Sequence, residues 1–241
     1  MEELRKTYHN TLDQIRADVI LLAARVAESV PRAAGIILDS DLEGAEYVIK
    51  ADAEIDAVAV ELEERCIEVL ALQAPVAGDL RQVLALMKIV AEIERTGDMV
   101  ANICKVARRV YGHELDPRLR GLVGRMGEQA QAILLAAIDA MRERDVAKAA
   151  AVDDMDGYLD AVQKQFIQTL IETHHGTSDD MQVAVQLAMA SRFFERIGDH
   201  GVNMAERVKF IVTGVLPDHR KPERAPVALG DVAHPEAGES A

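Results

Sequence analysis

The chain of 241 residues carries the same acidic cassette twice, with the pattern Glu-Arg-x-Gly-Asp at residues 94–98 and again at 195–199. The two copies lie 101 residues apart, and Asn102 or Asn203 follows four residues after the aspartate. Because residues four apart share one face of a helix, each cassette places three oxygen-bearing side chains in a row. The repeat therefore predicts a duplicated fold with two corresponding acidic rows.

The duplication extends beyond the cassettes. Residues 79–83 align with 180–184 at the same offset of 101, which makes the third and sixth helices equivalent. At an offset of 100, residues 54–56 align with 154–156, and residues 66–67 align with 166–167. These alignments predict that the second and fifth helices also correspond.

Prolines and glycines divide the rest of the chain into long segments with helical periodicity. We predict six helices, with approximate spans 3–38, 42–73, 79–111, 116–143, 145–174 and 179–213. Pro31 is expected to bend the first helix. Short connections favour antiparallel neighbours, so the predicted fold is all-α, two similar three-helix bundles related by a pseudo-twofold axis. The first repeat spans residues 1–112 and the second 113–214, while residues 215–241, which hold four of the seven prolines, are predicted to be a disordered tail.

Charge and cysteine content exclude several classes of protein. A net charge of −14 argues against nucleic-acid binding, which depends on clustered Lys and Arg. Cys66 and Cys104 stand alone within apolar helical patterns, and this favours a reducing cytoplasm. We recognise no export signal and no membrane span in the sequence, so the expected location is cytoplasmic.

The carboxylates of the cassettes lie beside the apolar stripe of their helices, where desolvation is costly without a counter-charge. One interpretation is an ion-pair network with Arg or Lys from a neighbouring helix. The other is metal binding, because Glu, Asp and Asn oxygens suit Mg, Mn, Ca or Fe better than Zn or Cu. Each cassette also carries a mid-helix glycine, which costs roughly 1 kcal/mol relative to alanine and suggests close helix approach or ligand access.

The two cassettes, the stretch at residues 75–81 and Glu54-Ile55-Asp56 resemble the PhoU family, over roughly residues 1–213. The resemblance implies two three-helix bundles and E/D-xxx-D motifs associated with surface metal clusters, including iron. The ion is left open among Fe, Mn, Mg and Zn. By this resemblance the metal ligands are Glu94, Asp98, Glu195 and Asp199; Asn102 and Asn203 are further candidates.

The resemblance also implies a function. PhoU proteins are cytoplasmic negative regulators of phosphate uptake and of the phosphate-starvation (Pho) regulon. They are non-catalytic adaptors between the ATPase subunit of the phosphate ABC transporter and the phosphate-sensing histidine kinase of a two-component system. We expect such partners here, with peripheral membrane association through them, and a homodimer.

An enzyme is the main alternative, but the chain lacks GxSxG, GxxxxGK[ST] and HExxH motifs. One such alternative is a di-iron or di-manganese carboxylate oxidase or a ferritin-like metal-binding protein. These proteins require a Glu-x-x-His motif on each of two helices, and only Glu172-x-x-His175 fits. His200 is interpreted as a surface histidine, because it points about 100° away from Asp199 around the helix. Met181, Met189 and Met204 are interpreted as core filler. A purely structural helical scaffold would show heptads without the acidic cassettes.

Overall fold

The computed structural model describes residues 2–173 and 178–217, and all regular secondary structure in these ranges is α-helical. The six helices are α1 (Glu2–Asp39), α2 (Leu42–Gln73), α3 (Ala77–Arg109), α4 (Pro117–Glu143), α5 (Val146–Thr173) and α6 (Ser178–Thr213). Their ends agree with the predicted spans to within two residues. The predicted tail lies outside the described residues from residue 218 onward.

The connections between helices are set by short polar caps and left-handed residues. Asp41 accepts a hydrogen bond from the Gly44 N–H at 2.8 Å and so begins α2. Asp145 does the same for α5 by accepting from the backbone of residues 147 and 148. Pro117 occupies the first turn of α4, where its missing N–H has no helical partner to lose. Helices α2, α4 and α5 therefore begin where an aspartate or a proline accounts for free amides of the first turn, whereas Val76 before α3 makes no side-chain cap.

The helices pack as two three-helix bundles. Helices α1, α2 and α3 contact one another, as do α4, α5 and α6, and the bundles meet through α1 against α4 and α3 against α6. The α1–α4 contact is close, because a Cβ on Gly127 would lie 2.7 Å from the Ala34 Cβ. The largest fully buried side chains include Phe166 and Phe194 in the second bundle and Ile15 in the first. The predicted all-α fold of two similar bundles is confirmed, while the division at residue 112 stays a prediction and falls in the α3–α4 connection.

Helices α3 and α6 run antiparallel, and the numbers of facing residues add up to 295. Glu92 faces Asn203, Arg109 faces Gln186, and the Arg81 guanidinium lies beside Gly214. Gly97 and Gly198, the two cassette glycines, also add up to 295, so they lie opposite each other along the two helices. The cassettes therefore occupy the same level of the molecule, one on each side of the α3–α6 contact.

His200 is buried in this contact, and its predicted place on the surface is wrong. The side chain is 5% exposed and its Nδ1 lies 3.1 Å from the Thr96 Oγ1. Because the Thr96 hydroxyl donates its proton to the Glu92 carbonyl at 2.7 Å, the His200 ring donates to Thr96. Burial lowers the pKa of His200 to about 4, so the ring is neutral. His200 does point about 100° away from Asp199 around α6, but that direction faces α3 rather than water.

The methionines of α6 divide between core and surface. Met204 is 1% exposed and fills the core as predicted. Met181 and Met189 are 52% and 41% exposed, so their interpretation as core filler is wrong. They lie on the turns of α6 that face outward together with Val185. Apolar periodicity alone cannot distinguish an inward stripe from an outward one.

Candidate functional site

The first acidic site lies between α2 and α3. A Cβ on Gly97 would lie 3.1 Å from the Asp52 Oδ1 and 3.3 Å from the Ile55 Cγ2, so α2 packs directly over the cassette backbone. Asp56 follows Asp52 by one turn of α2, as Asp98 follows Glu94 on α3. The glycine lets the two helices approach, and the approach brings two rows of carboxylates together.

Two carboxylates of the first site, Asp52 and Glu94, have raised pKa values. Burial is the largest cause of the rise of the Asp52 pKa to about 6, and repulsion from Asp56, Asp98 and Glu94 adds to it. Burial, followed by Asp98 and Asp56, also raises the pKa of Glu94. The Asp52 Oδ1 is buried and has no hydrogen-bond partner in the described structure. The site therefore holds negative charge that nearby protein groups do not fully neutralise.

The second acidic site has the same plan between α5 and α6. A Cβ on Gly198 would overlap the Asp156 carboxylate and lie 2.7 Å from the Leu159 Cδ2. Asp160 follows Asp156 by one turn, next to the row of Glu195 and Asp199. Asp156 is 1% exposed, so its carboxylate is at the base of the site.

Glu195 has a cationic partner that Glu94 lacks. Arg192 Nη1 donates to the Glu195 Oε1 at 2.8 Å from one turn earlier on the same helix. Burial still raises the pKa of Glu195, with Asp199 and Asp160 adding to the rise and Arg192 opposing it. The other oxygen, Oε2, is buried without a hydrogen-bond partner in the part of the chain described. The predicted counter-charge is therefore present at this site, but it comes from the same helix rather than a neighbouring one.

The geometry corrects the proposed alignment of α2 with α5. Asp52 corresponds to Asp156, and Asp56 to Asp160, at an offset of 104 rather than 100. The sequence contains the signal, because residues 52–58 and 156–162 share the pattern Asp-x-x-Ile/Leu-Asp-Ala-Val. The offset of 100 matched acidic residues one helical turn out of register, and none of Asp52, Asp56, Asp156 and Asp160 was predicted as a site residue.

The two asparagines sit differently from the carboxylates. Asn102, one turn after Asp98 on α3, accepts a hydrogen bond from Lys105 Nζ at 3.1 Å through its Oδ1. The Asn203 amide nitrogen lies 3.3 Å from the Glu92 Oε2, so Asn203 contacts α3 across the contact between bundles. The two amides that the sequence makes equivalent are therefore used in different ways.

The donor set at both sites suits a hard cation. In the part of the chain that the structure describes, both sites present carboxylate oxygens, and two of these, Asp52 Oδ1 and Glu195 Oε2, are buried without a hydrogen-bond partner. Among the described residues, no three His, Cys, Asp or Glu side chains already form a cage for one ion. This arrangement fits an ion that keeps several waters and takes one or two carboxylates from the protein.

The oxidase pattern finds little support in this geometry. The imidazole of His200 is engaged with Thr96 on the far side of α6 from the second site. Glu172 lies 3.6 Å from the Arg118 guanidinium at the α5 end, and His175 lies outside the described residues. The acidic rows of the described residues thus offer oxygen ligands without the imidazoles that a di-iron oxidase requires.

Comparison with known proteins places both repeats in one family. The sequence profile of the PhoU domain matches residues 19–107 and 123–208. A protein of Mycobacterium tuberculosis strain H37Rv named phosphate-specific transport system accessory protein PhoU homolog 1 is 34% identical over 217 residues, which is 89% of this chain and 96% of the relative. PhoU homolog 2 of the same strain is 33% identical over 217 residues, 89% of this chain and 100% of the relative.

Solved structures agree with this assignment. The crystal structure of PhoU from Pseudomonas aeruginosa superposes with a TM-score of 0.81 at 27% identity, covering 86% of this chain and 100% of that one. The phosphate transport system regulatory protein PhoU from Streptococcus pneumoniae gives a TM-score of 0.80 at 25% identity, covering 88% and 99%. The chain belongs to the PhoU family.

Proposed function

We propose that this protein is an accessory regulator of a phosphate transport system that restrains phosphate uptake and the Pho regulon when phosphate is plentiful. The observation that carries the proposal is family membership along the full length of named accessory proteins, with both repeats matched. A non-catalytic role accords with acidic rows that contain no nucleophile and no His within the described residues.

We propose the ATPase subunit of the phosphate ABC transporter and the phosphate-sensing histidine kinase as partners, met in the cytoplasm. None of the six helices, over the described residues, has the length and apolar character needed to cross a bilayer. We propose that membrane association comes through the transporter. The exposed apolar side chains of α3 and α6, such as Leu84 at 43% and Met181 at 52%, support binding to other proteins.

The acidic sites are proposed to bind metal ions, with Fe, Mn, Mg or Zn as the candidates. In the first repeat, one or two of the carboxylates of Asp52, Asp56, Glu94 and Asp98 would hold a hydrated ion. Their equivalents in the second repeat are Asp156, Asp160, Glu195 and Asp199. A bound cation would neutralise the carboxylates and hold α2 to α3 and α5 to α6. The role proposed for the ion is structural, because it would bridge carboxylates on two packed helices.

A homodimer is proposed as the working assembly, because long helices with exposed apolar side chains offer enough surface for a twofold contact. Light scattering coupled to size exclusion measures the mass directly. A mass of twice 26.3 kDa at micromolar concentration is expected. A single-chain mass would remove the dimer from the proposal without affecting the regulatory role.

The test of the regulatory role is a phosphate-starvation reporter, such as secreted alkaline phosphatase, in a deletion strain grown in excess phosphate. We expect high reporter activity in the deletion strain and silencing by the wild-type protein. A variant with Glu94→Gln, Asp98→Asn, Glu195→Gln and Asp199→Asn tests the acidic rows in the same assay. Failure of this variant to silence, at equal protein level, would tie regulation to the sites.

A matched control uses carboxylates outside both sites. Glu46 is exposed and pairs with Lys50 on the outer face of α2, so Glu46→Gln should silence the reporter as well as wild type. A silent reporter in the deletion strain would contradict the regulatory role, provided that no second PhoU-family gene is present in that strain. The genome sequence of the strain answers that point before the assay begins.

A further inference from the structure

The two acidic sites differ at the position one turn before the cassette glutamate. In the second repeat this position is Arg192, whose guanidinium donates to the Glu195 Oε1 at 2.8 Å. In the first repeat the equivalent residue, at the repeat offset of 101, is Ala91. Alanine has no charge, and within the described residues Glu94 and Asp98 form no ion pair. One site therefore has a built-in cation on its glutamate, and the other does not.

The first repeat has its own nearby cation, but in a different place. Lys105 bonds to the Asn102 amide oxygen at 3.1 Å, beyond the carboxylates of α3, and its equivalent in the second repeat is Glu206. Glu206 is already paired with Lys209. The charge of Lys105 also acts on Asp52, but Lys105 makes its hydrogen bond to the amide. Arg192 instead bonds directly to Glu195 and occupies one of the oxygens that a metal would take.

The inner carboxylates differ as well. Asp156 is 1% exposed beneath Leu159, while Asp52 is partly exposed. A cavity of about 300 Å³ between α1, α2 and α3 borders Asp52 and Gly97, and Arg25 and Arg32 also line it. The greater exposure of Asp52 favours ion entry at the first repeat, in the same direction as the free Glu94 carboxylate.

We propose that the two sites bind cations unequally, with the site of the first repeat filling first, and that Arg192 weakens the second site by occupying the carboxylate of Glu195. This inference rests on the proposed metal binding. A cation entering the second site displaces the guanidinium or accepts one ligand fewer, and it meets an additional positive charge about one helical turn away. The duplicated fold thus presents one high-affinity and one low-affinity site.

The experiment titrates chelator-treated full-length protein with Mn²⁺ and measures free Mn²⁺ by electron paramagnetic resonance. The wild type should show a tight and a weak class of sites. Glu94→Gln with Asp98→Asn should remove the tight class, and Glu195→Gln with Asp199→Asn the weak one. Arg192→Ala should tighten the weak class roughly tenfold, because it removes a nearby charge and frees the glutamate.

The reciprocal variant, Ala91→Arg, introduces the same partner for Glu94 and should weaken the tight class by a similar factor. Arg192 is 60% exposed, so its replacement is not expected to disturb folding, and a thermal melt checks this. Equal affinities in the wild type, or an unchanged weak class in Arg192→Ala, would overturn the inference while leaving metal binding intact. Wild-type protein that binds no more Mn²⁺ than the variant lacking all four cassette carboxylates would overturn the metal proposal itself.

Discussion

Replacing Gly198 by alanine tests whether the second site depends on close approach of α5 to α6. The new methyl group would overlap the Asp156 carboxylate and lie 2.7 Å from the Leu159 Cδ2. Both neighbours are essentially buried, at 1% and 0% exposure, so neither side chain can turn into solvent. The overlap must therefore be relieved by moving α5 away from α6.

The magnitude follows from two opposing contributions. Alanine in place of a mid-helix glycine stabilises the helix by about 1 kcal/mol. Forcing a methyl group into a closely packed contact costs about 1–3 kcal/mol. The contact at Gly198 is tight enough for the larger values, so the free energy of unfolding should fall by about 1–2 kcal/mol. In a chain of this length that lowers the melting temperature by roughly 2–8 °C.

Gly97 provides a matched control within the same chain. A Cβ there would lie 3.1 Å from the Asp52 Oδ1 and 3.3 Å from the Ile55 Cγ2, and Asp52 is partly exposed and can turn. The small steric cost and the helical gain nearly cancel, so Gly97→Ala should change stability by less than about 0.5 kcal/mol. Thermal unfolding followed by circular dichroism at 222 nm, in chelator, measures both variants. A melting temperature for Gly198→Ala at or above wild type, or an equal loss in Gly97→Ala, would refute the argument.

In chelator-treated protein, Mn²⁺ should raise the melting temperature by mass action, and Asp52→Asn should reduce that rise; an undiminished rise would remove Asp52 from the site. Thr96→Val leaves the buried His200 nitrogen without its acceptor and should cost about 1–3 kcal/mol of unfolding free energy, whereas Thr96→Ser keeps the hydroxyl and most of the stability. Equal melting of the valine and serine variants would contradict this. Burial raises the pKa of Cys66 to about 11 and of Cys104 to about 12, so neither thiol should react with a disulfide reagent at pH 8 until denaturant is added. Rapid labelling of the native protein, followed by peptide mapping, would show that the cores around them open.

The sequence predicted the helices well because their signals are local. Helix ends are marked by prolines, left-handed residues and aspartate caps such as Asp41 and Asp145, and these act within a few residues. The equivalence of α3 and α6 followed from cassettes that share four of five residues. For α2 and α5, the alignment depended on a few acidic residues, and its offset of 100 was wrong by four residues, or about one helical turn. In a helix, a slip of four residues keeps the same face and leaves a similar pattern.

The sequence predicted the acidic rows of α3 and α6, and their role as metal ligands stays a prediction. The shared pattern at residues 52–58 and 156–162 shows that the partner rows correspond, but only the crossing of α2 over α3 at Gly97 brings Asp52 to the first row. The same limit explains His200. Its angle from Asp199 was predicted from helix geometry, but whether that direction meets water or α3 depends on the packing of the two bundles.

The sequence alone determined that the chain is helical, duplicated and acidic, and that two rows of oxygen-bearing side chains recur at equivalent places. These properties follow from residue type and spacing, which act along the chain. Only the tertiary structure decided which second row completes each site, and that the Glu195 carboxylate is held by Arg192 while the Glu94 carboxylate has no such partner. It also decided that the cassettes lie back to back across the α3–α6 contact. Those features depend on distances between helices, and burial and repulsion arise only where packing brings separate segments together.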